Sequence, residues 1–304
     1  MASARERRAW WRRLGRSEDA AGWMLTGPAV FLVGVFAIFP IAWSVVLSLQ
    51  SRNLLTGEGR WVGWANYEAL AADSVFKQAL SNSLKYTALF VPLSIALGLF
   101  VAVAMNRRLR LMAVYRTAVF ITMAVSTISA AIMFLWLTEP TYGIINAAFE
   151  KVGLPPQQFL SDPGQALYVI VAMTVWGWLG FVVIIYLAAL QGIPEELMEA
   201  AAIDGASRWS SFWHVTFPLL GPATLFLVVW LTINSLQLFD EIYLTTKGGP
   251  LYSTTVIVYY LFEQAFRFFN AGLGAASAYV LFLGILVITV LQLLAGKKMV
   301  HYSS

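Results

Sequence analysis

Residues 163–194 read PGQALYVIVAMTVWGWLGFVVIIYLAALQGIP, a run without a single Asp, Glu, Lys or Arg. A transmembrane helix needs about 20 predominantly apolar residues, and a charge at its centre costs roughly 2.5–3.5 kcal/mol on insertion scales. This run satisfies both conditions, so it is read as a membrane span. Five more charge-free windows of sufficient length flank it: Ala20–Ser51, Tyr86–Asn106, Thr117–Thr138, Trp209–Phe239 and Phe268–Gly296. Transmembrane β-strands would alternate polar and apolar residues over about ten positions, and these windows do not. The stretch Gly248–Phe262 is shorter and opens on Gly248, Gly249 and Pro250, which reads as loop or interfacial structure.

Composition supports this reading. Of 304 residues, 59% are hydrophobic and 12% charged, with a mean hydropathy of +0.71. Soluble domains carry about a quarter charged residues, so an ordinary soluble domain is excluded. The expected fold is an all-α integral membrane protein of six transmembrane helices, spanning about residues 24–48, 86–106, 115–137, 166–190, 216–238 and 275–295. A basic N-terminal segment at 1–19 and a short tail at 297–304 flank a single transmembrane domain, 20–296.

Orientation follows from Lys and Arg. With the N-terminus inside, the inner segments hold Arg5, Arg7, Arg8, Arg12, Arg13, Arg16, Arg107, Arg108, Arg110, Arg116, Arg208, Lys297 and Lys298. The outer segments hold only Arg52, Arg60, Lys77, Lys85, Lys151, Lys247 and Arg267. Cytoplasmic loops carry the excess of positive residues, so both termini are expected inside. The apolar stretch after the basic N-terminus is too long for a signal-peptide core and no small-residue cleavage site follows, so it is expected to stay as the first span. The net charge of +4 reflects this topology and implies no nucleic-acid partner; the spans themselves make membrane lipid a partner.

Several chemistries are missing. There is no cysteine, and His214 and His301 lie on different segments, so no metal site is expected. No G-x-S-x-G, H-E-x-x-H or G-x-x-x-x-G-K-[ST] occurs, which leaves no embedded hydrolase constellation and no phosphate-binding loop. No catalytic residue and no cofactor is assigned. An ion-coupled secondary transporter should show an internal repeat and mid-span carboxylates or histidines, and neither is visible.

The loop between the fourth and fifth spans, QGIPEELMEAAAIDGASRWSSFWHVTFPLLGP at 191–222, carries the most information. Pro194 suits a helix start, and Glu195 and Glu196 suit its positive end. Gly205 permits a sharp turn. A second short helix can begin at Ser207, with Trp209, Phe212, Trp213 and Thr216 on one stripe before Pro218 ends it. A hairpin lying on lipid headgroups would be rich in Lys and Arg, yet this one holds Glu195, Glu196, Glu199 and Asp204 against Arg208 alone. Ala200, Ala201, Ala202, Gly205 and Ala206 would let a partner's backbone approach. A docking surface for another protein explains the segment better.

These residues resemble a known family. Glu199-Ala200-Ala201, Asp204-Gly205-Ala206, Phe212 and Val215-x-Phe217-Pro218 are similar to the EAA loop of binding-protein-dependent ABC importer permeases, whose pattern ends Ile-x-Leu-Pro. The stretch Phe239-Asp240-Glu241-Ile242-Tyr243, then Lys247-Gly248-Gly249-Pro250 and Ser253-Thr254, resembles the outer loop of the carbohydrate-importer branch. Pro28, Pro40, Gly63-x-x-Asn66-Tyr67 and Asn82-Ser83 fit the same branch. The chain departs from the maltose-type subunit with a large external insertion, because residues 139–162 are a short loop.

The resemblance implies a permease of the bacterial cytoplasmic (inner) membrane. It implies a second homologous permease, two copies of an ABC ATPase that binds ATP and Mg, and an extracytoplasmic solute-binding protein as partners. Residues 191–216 become the coupling loop. Its implied contacts are Glu199, Ala200, Ala201, Asp204, Gly205, Ala206, Arg208, Phe212 and Pro218, with Glu199 the polar contact and Gly205 the turn former. Asp240, Lys247, Gly248, Gly249 and Pro250 are the implied binding-protein contacts. A sugar or related polyol is the expected solute. Asn234 and Gln237, whose amides suit hydroxyls, and Trp230, which can stack on a sugar ring, are the candidate path. Ser126, Thr127 and Ser129 are read as inter-helix hydrogen-bonding groups. Trp136, Trp176 and Trp178 are read as interfacial belt residues. A glycerol-3-phosphate-type importer is the alternative, although no Lys or Arg lies in any of the six windows to meet a phosphate.

Overall fold

The computed structural model describes the backbone of residues 18–106 and 112–299, and the side chains of 22–106 and 112–296. Most of the basic N-terminal segment, Arg107, Arg108 and Arg110, and the end of the tail at 300–304 lie outside the described residues.

The first span begins in α1 (Glu18–Val33), passes through a wider turn at Gly34–Ile38, and ends in α2 (Phe39–Ser48). Its apolar side chains face outward: Leu25 is 83% and Phe36 74% exposed. In water that surface would not persist, but against lipid or another subunit it is solvated. A small antiparallel hairpin follows, β1 (Gln50–Arg52) paired with β2 (Gly59–Trp61), so the chain is not purely α-helical. Asn53 closes its turn by accepting from the Leu55 N–H at 2.8 Å, the local bonding that favours Asn in turns. Next comes α3 (Ala65–Ala72). Its buried Asn66 donates to the carbonyls of Ser48 and Gln50 at 2.7 and 2.9 Å, fixing the hairpin to the end of α2.

Helix α4 (Ser74–Met105) starts twelve residues before the charge-free window. Asp73 caps it, accepting from Val75 N–H at 2.7 Å and Phe76 N–H at 3.3 Å. Lys77 and Lys85 end the charge-free window but not the helix, because both side chains are exposed. The third span also differs from a continuous helix over 115–137. It is bent by 101° between Met112–Ala124 and Thr127–Leu137, that is, between α5 (Met112–Phe120) with its tight turn at Ile121–Ala124, and α6 (Thr127–Leu137). Val125 and Ser126 are extended there (ψ 123° and 140°). The run Val125-Ser126-Thr127-Ile128-Ser129 is β-branched and hydroxyl-bearing, the composition with least helix preference. Thr122 Oγ1 donates back to the Val119 carbonyl at 2.9 Å, and such local bonds compete with the helical ladder.

The segment that follows contains α7 (Ile144–Lys151). Glu139 there accepts from the N–H groups of Tyr142 and Thr141 at 2.7 and 2.6 Å, and these bonds hold its carboxyl below the usual carboxylate range. Helix α8 (Ala166–Gln191) matches the expected span and is the most buried. It lies along α4, and Gly98 of α4 makes this close approach possible. A Cβ on Gly98 would sit 2.3 Å from Val182 Cγ1. Helix α9 (Glu195–Ile203), α10 (Arg208–Ser211) and α11 (Phe217–Leu219) form the hairpin of the 191–222 segment and its exit, and α12 (Gly221–Leu236) follows. After α13 (Asp240–Leu244), the stretch expected as loop or interfacial structure turns through 245–256 and enters α14 (Ile257–Phe262). Ile257, Tyr259 and Tyr260 are buried, so α14 belongs to the bundle interior. Helix α15 (Ala271–Met299) packs against α2, α12 and α14.

The core is one large cluster around Tyr86, Phe90, Ile170, Val182, Tyr186 and Leu231, with a second around Leu70, Ile257 and Tyr260. Among the described residues, five helices are long and apolar enough to cross a membrane, and six if the bent pair counts as one span.

Candidate functional site

The hairpin is built as its sequence asks, with one exception. Glu195 and Glu196 occupy the first turn of α9, where carboxylates meet the positive helix end. At its other end Gly205 has φ +77°. The N–H of Ala206 donates to the Ala201 carbonyl at 3.0 Å and that of Gly205 to the Ala202 carbonyl at 3.1 Å. This pair of bonds is the Schellman closure, which needs the left-handed conformation that glycine adopts without strain. Asp204 is the C-cap. Ser207 then caps α10, its Oγ accepting from the Ser210 N–H at 3.2 Å. The exception is Pro218. It does not end the second arm, because a wide turn at Phe212–Thr216 leads directly into α11, which holds Pro218 in its first turn, where a missing N–H removes no bond.

The aromatic stripe continues into this exit. Trp213 packs on Phe217 with ring centroids 5.0 Å apart, and on Phe212 at 5.3 Å. The arms are further joined by Thr216 Oγ1 against Met198 Sδ at 3.7 Å. No residue of α9 is buried, and Ile203 and Trp209 are 86% and 72% exposed. Glu199, Ala200, Asp204, Gly205 and Arg208 are exposed, while Ala201 and Ala206 are half-buried. The hairpin is thus an outward-facing surface of acids, small residues and apolar tips, its aromatic stripe running to Phe217 in α11, which leads into α12.

Beyond the far end of α12 the chain breaks at Gln237–Phe239 and re-enters the bundle through α13. Two adjoining cavities lie there. The larger, about 250 Å³, is lined by Thr122, Thr127, Trp176, Trp178, Phe181 and Glu241 together with neighbouring residues. The smaller, about 120 Å³, is lined by Tyr86, Asn234, Ser235, Gln237, Asp240 and Glu241 among others. Thr127, Trp178 and Glu241 belong to both.

The structure therefore brings Asn234 and Gln237 together but leaves Trp230 apart, in an aromatic row with Phe181 and Phe226 at 6.1 and 5.9 Å. Thr127 faces a cavity and forms no hydrogen bond to another helix among the described residues, contrary to the expectation for that group. Trp176 and Trp178 also line the cavity. Trp136 is 71% exposed. Glu241 stands in the sequence only as part of the Phe239–Tyr243 stretch, yet it lines both cavities. Its place in the cavities depends on the break after α12, which no local pattern signals.

The Lys247–Pro250 loop is not uniformly open to solvent. Gly248 is buried, and its carbonyl accepts from Thr255 Oγ1 at 3.0 Å, so it shapes the turn and is closed to a partner. Gly249 and Pro250 are half-buried, while Asp240 and Lys247 are exposed. Asn82 holds this loop from α4, donating to the carbonyls of Tyr252 and Thr255 at 2.9 Å each. Ser83 Oγ accepts from the Ile257 N–H at 3.0 Å. Among the described residues no group of three or more His, Asp or Glu is placed to hold a metal ion.

The family described as binding-protein-dependent transport system inner membrane component matches residues 94–301. The chain belongs to that family. The lactose transport system permease protein LacF of Rhizobium radiobacter is 36% identical over 294 residues, 94% of this chain and 97% of that protein. The sn-glycerol-3-phosphate transport system permease protein UgpA of Agrobacterium fabrum is 30% identical over 281 residues, covering 92% and 96%. A chain in the crystal structure of a bacterial alginate ABC transporter, in complex with alginate pentasaccharide-bound periplasmic protein, superposes with a TM-score of 0.82. It covers 93% of this chain and 95% of that one at 22% identity, a likeness of fold. This permease is an inner-membrane component of an ABC transporter, and a component of that kind works with a binding protein and an ATPase.

Proposed function

We propose that this permease is one of two transmembrane subunits of an ATP-driven importer that carries a sugar or related polyol from an external binding protein into the cytoplasm. It crosses the membrane six times, the bent Met112–Leu137 pair forming one span, with both termini and the hairpin on the cytoplasmic side. Two ATPase copies, which bind ATP and Mg, receive the hairpins of the two permeases. The observation that carries this reading is the hairpin: exposed, acidic and joined through the Trp213–Phe217 contact and α11 to the start of α12, the helix that carries Asn234 and leads to Gln237. Helix α12 has 16 residues, so it spans roughly 24 Å at 1.5 Å per residue. Displacement of its hairpin end by ATPase closure tilts its far end, where the solute cavities lie.

The lactose permease protein supports the sugar assignment. Gentle-detergent purification of the tagged protein from its native membrane tests the assembly. Co-purification of a P-loop ATPase and a second permease in equal proportion supports it. A chain that is pure and alone, yet active in proteoliposomes on an ion gradient, refutes it.

A further inference from the structure

The chemistry of the two cavities beside α13 goes beyond the general class of solute. Three of their hydroxyl donors are engaged within the protein. Thr122 donates to the Val119 carbonyl at 2.9 Å, Thr174 to Ile170 at 2.9 Å, and Ser235 to Thr232 at 2.9 Å. The Asn234 amide nitrogen donates to the Trp230 carbonyl at 2.8 Å, which leaves its oxygen as an acceptor. Glu241 lines both cavities and Asp240 the smaller one. Among the described residues no Lys, Arg or His lines either, and no other residue's side chain pairs with the Glu241 carboxylate.

The combined space falls near the lower end of the roughly 300–1,000 Å³ of small-molecule sites. Its lining is rich in acceptors, free of cations and walled by Trp176, Trp178 and Phe181. That lining is complementary to a solute that offers hydroxyl donors and an apolar ring face. A carboxylate or phosphate offers only acceptors and negative charge, and like charges brought together out of water repel strongly.

We infer that Glu241 is the specificity-determining residue of the solute path, admitting uncharged saccharides and rejecting those that bear a carboxylate or phosphate. The inference rests on the saccharide-importer reading above. It separates this chain from the solutes named for the glycerol-3-phosphate relative and the alginate transporter, both of which are anionic.

The test is equilibrium dialysis of the intact assembly in lipid nanodiscs. The probes are radiolabelled glucose, galactose, lactose and maltose, each beside its carboxylate counterpart (glucuronate, galacturonate, lactobionate and maltobionate). In the wild type at least one neutral sugar should bind about tenfold more tightly than its counterpart. Glu241→Gln should narrow that gap to about threefold by tightening the anion, and Glu241→Asp, which keeps the charge, should preserve it. If neutral sugars bind but Glu241→Gln leaves the ratio unchanged, or if the wild type prefers the anions, the role of Glu241 is overturned while the saccharide path stands. If no sugar of either set binds, the saccharide reading falls and this inference falls with it.

Discussion

Gly205 offers a direct test of whether the hairpin acts through its backbone conformation. Its φ of +77° lies in the left-handed region, and a Cβ built there meets nothing within 4 Å. A substitution at this position therefore adds backbone strain without an internal clash. For an ordinary L-residue that strain is about 1–2 kcal/mol, and for a β-branched residue it lies at the upper end or above. One to two kcal/mol changes the population of the closed hairpin by a factor of roughly 5–30. Asn tolerates the left-handed region far better. The expected order of coupling is therefore Gly, then Asn, then Ala, then Val, with Gly205→Val retaining about a tenth of transport or less. The assay is solute uptake per ATP hydrolysed by the intact assembly in proteoliposomes. ATP hydrolysis should fall less than uptake, because the ATPase is untouched. Wild-type coupling in Gly205→Val would refute the argument. So would Gly205→Asn failing as badly as Val, because that result would mean the position matters for contact with the partner and not for conformation.

Other outcomes follow from single contacts. Asn82→Leu leaves the buried carbonyl of Thr255 without a donor, at about 1–3 kcal/mol, and removes one of the two donors to the Tyr252 carbonyl, so thermal melting in detergent should drop and the outer loop should become sensitive to protease. Gly98→Val drives a side chain into Val182, where even a Cβ would come within 2.3 Å. It should destabilise the α4–α8 pair by about 1–3 kcal/mol, seen as reduced folded yield, whereas Gly98→Ala should be milder. Tyr260 donates to Asp73 Oδ2 at 2.6 Å, and burial, reinforced by Asp73, holds its hydroxyl above the usual tyrosine range. Tyr260→Phe removes a bond to a charged group, about 1.5–3 kcal/mol, and should lower the melting temperature without altering coupling.

What could be read from the sequence was whatever depends on local pattern. The span at 166–190 appears as Ala166–Gln191 because a long charge-free run has only one solution in lipid. The Asp204-Gly205-Ala206 turn appears because its Schellman closure is encoded within six residues. Lys77 and Lys85 misplaced the start of α4, since a charge-free window cannot distinguish a lysine in a span from one exposed on the same helix beyond it. The bend at Val125–Ser126 was hidden because its composition still passes as an apolar span. The inward turn of Glu241 and the burial of Gly248 were hidden for a different reason. Glu241 owes its place to the packing of α13 against α6, far earlier in the chain. Gly248 sits in a loop that Asn82 holds from a helix 170 residues before Tyr252, and no window reading reaches that far.

The central claim is that the 191–216 hairpin is cytoplasmic and seats on an ATPase. The chain has no cysteine, so Ala200→Cys, at an exposed position on α9, introduces a unique thiol. Labelling by a membrane-impermeant maleimide in inside-out vesicles, with and without the bound ATPase, measures both parts of the claim. The account predicts rapid labelling from the cytoplasmic face, suppressed at least about tenfold when the ATPase is present, while a cysteine at Arg60 reacts only from the opposite face. Equal labelling of Ala200→Cys with the ATPase bound, or labelling from the outer face, would contradict it.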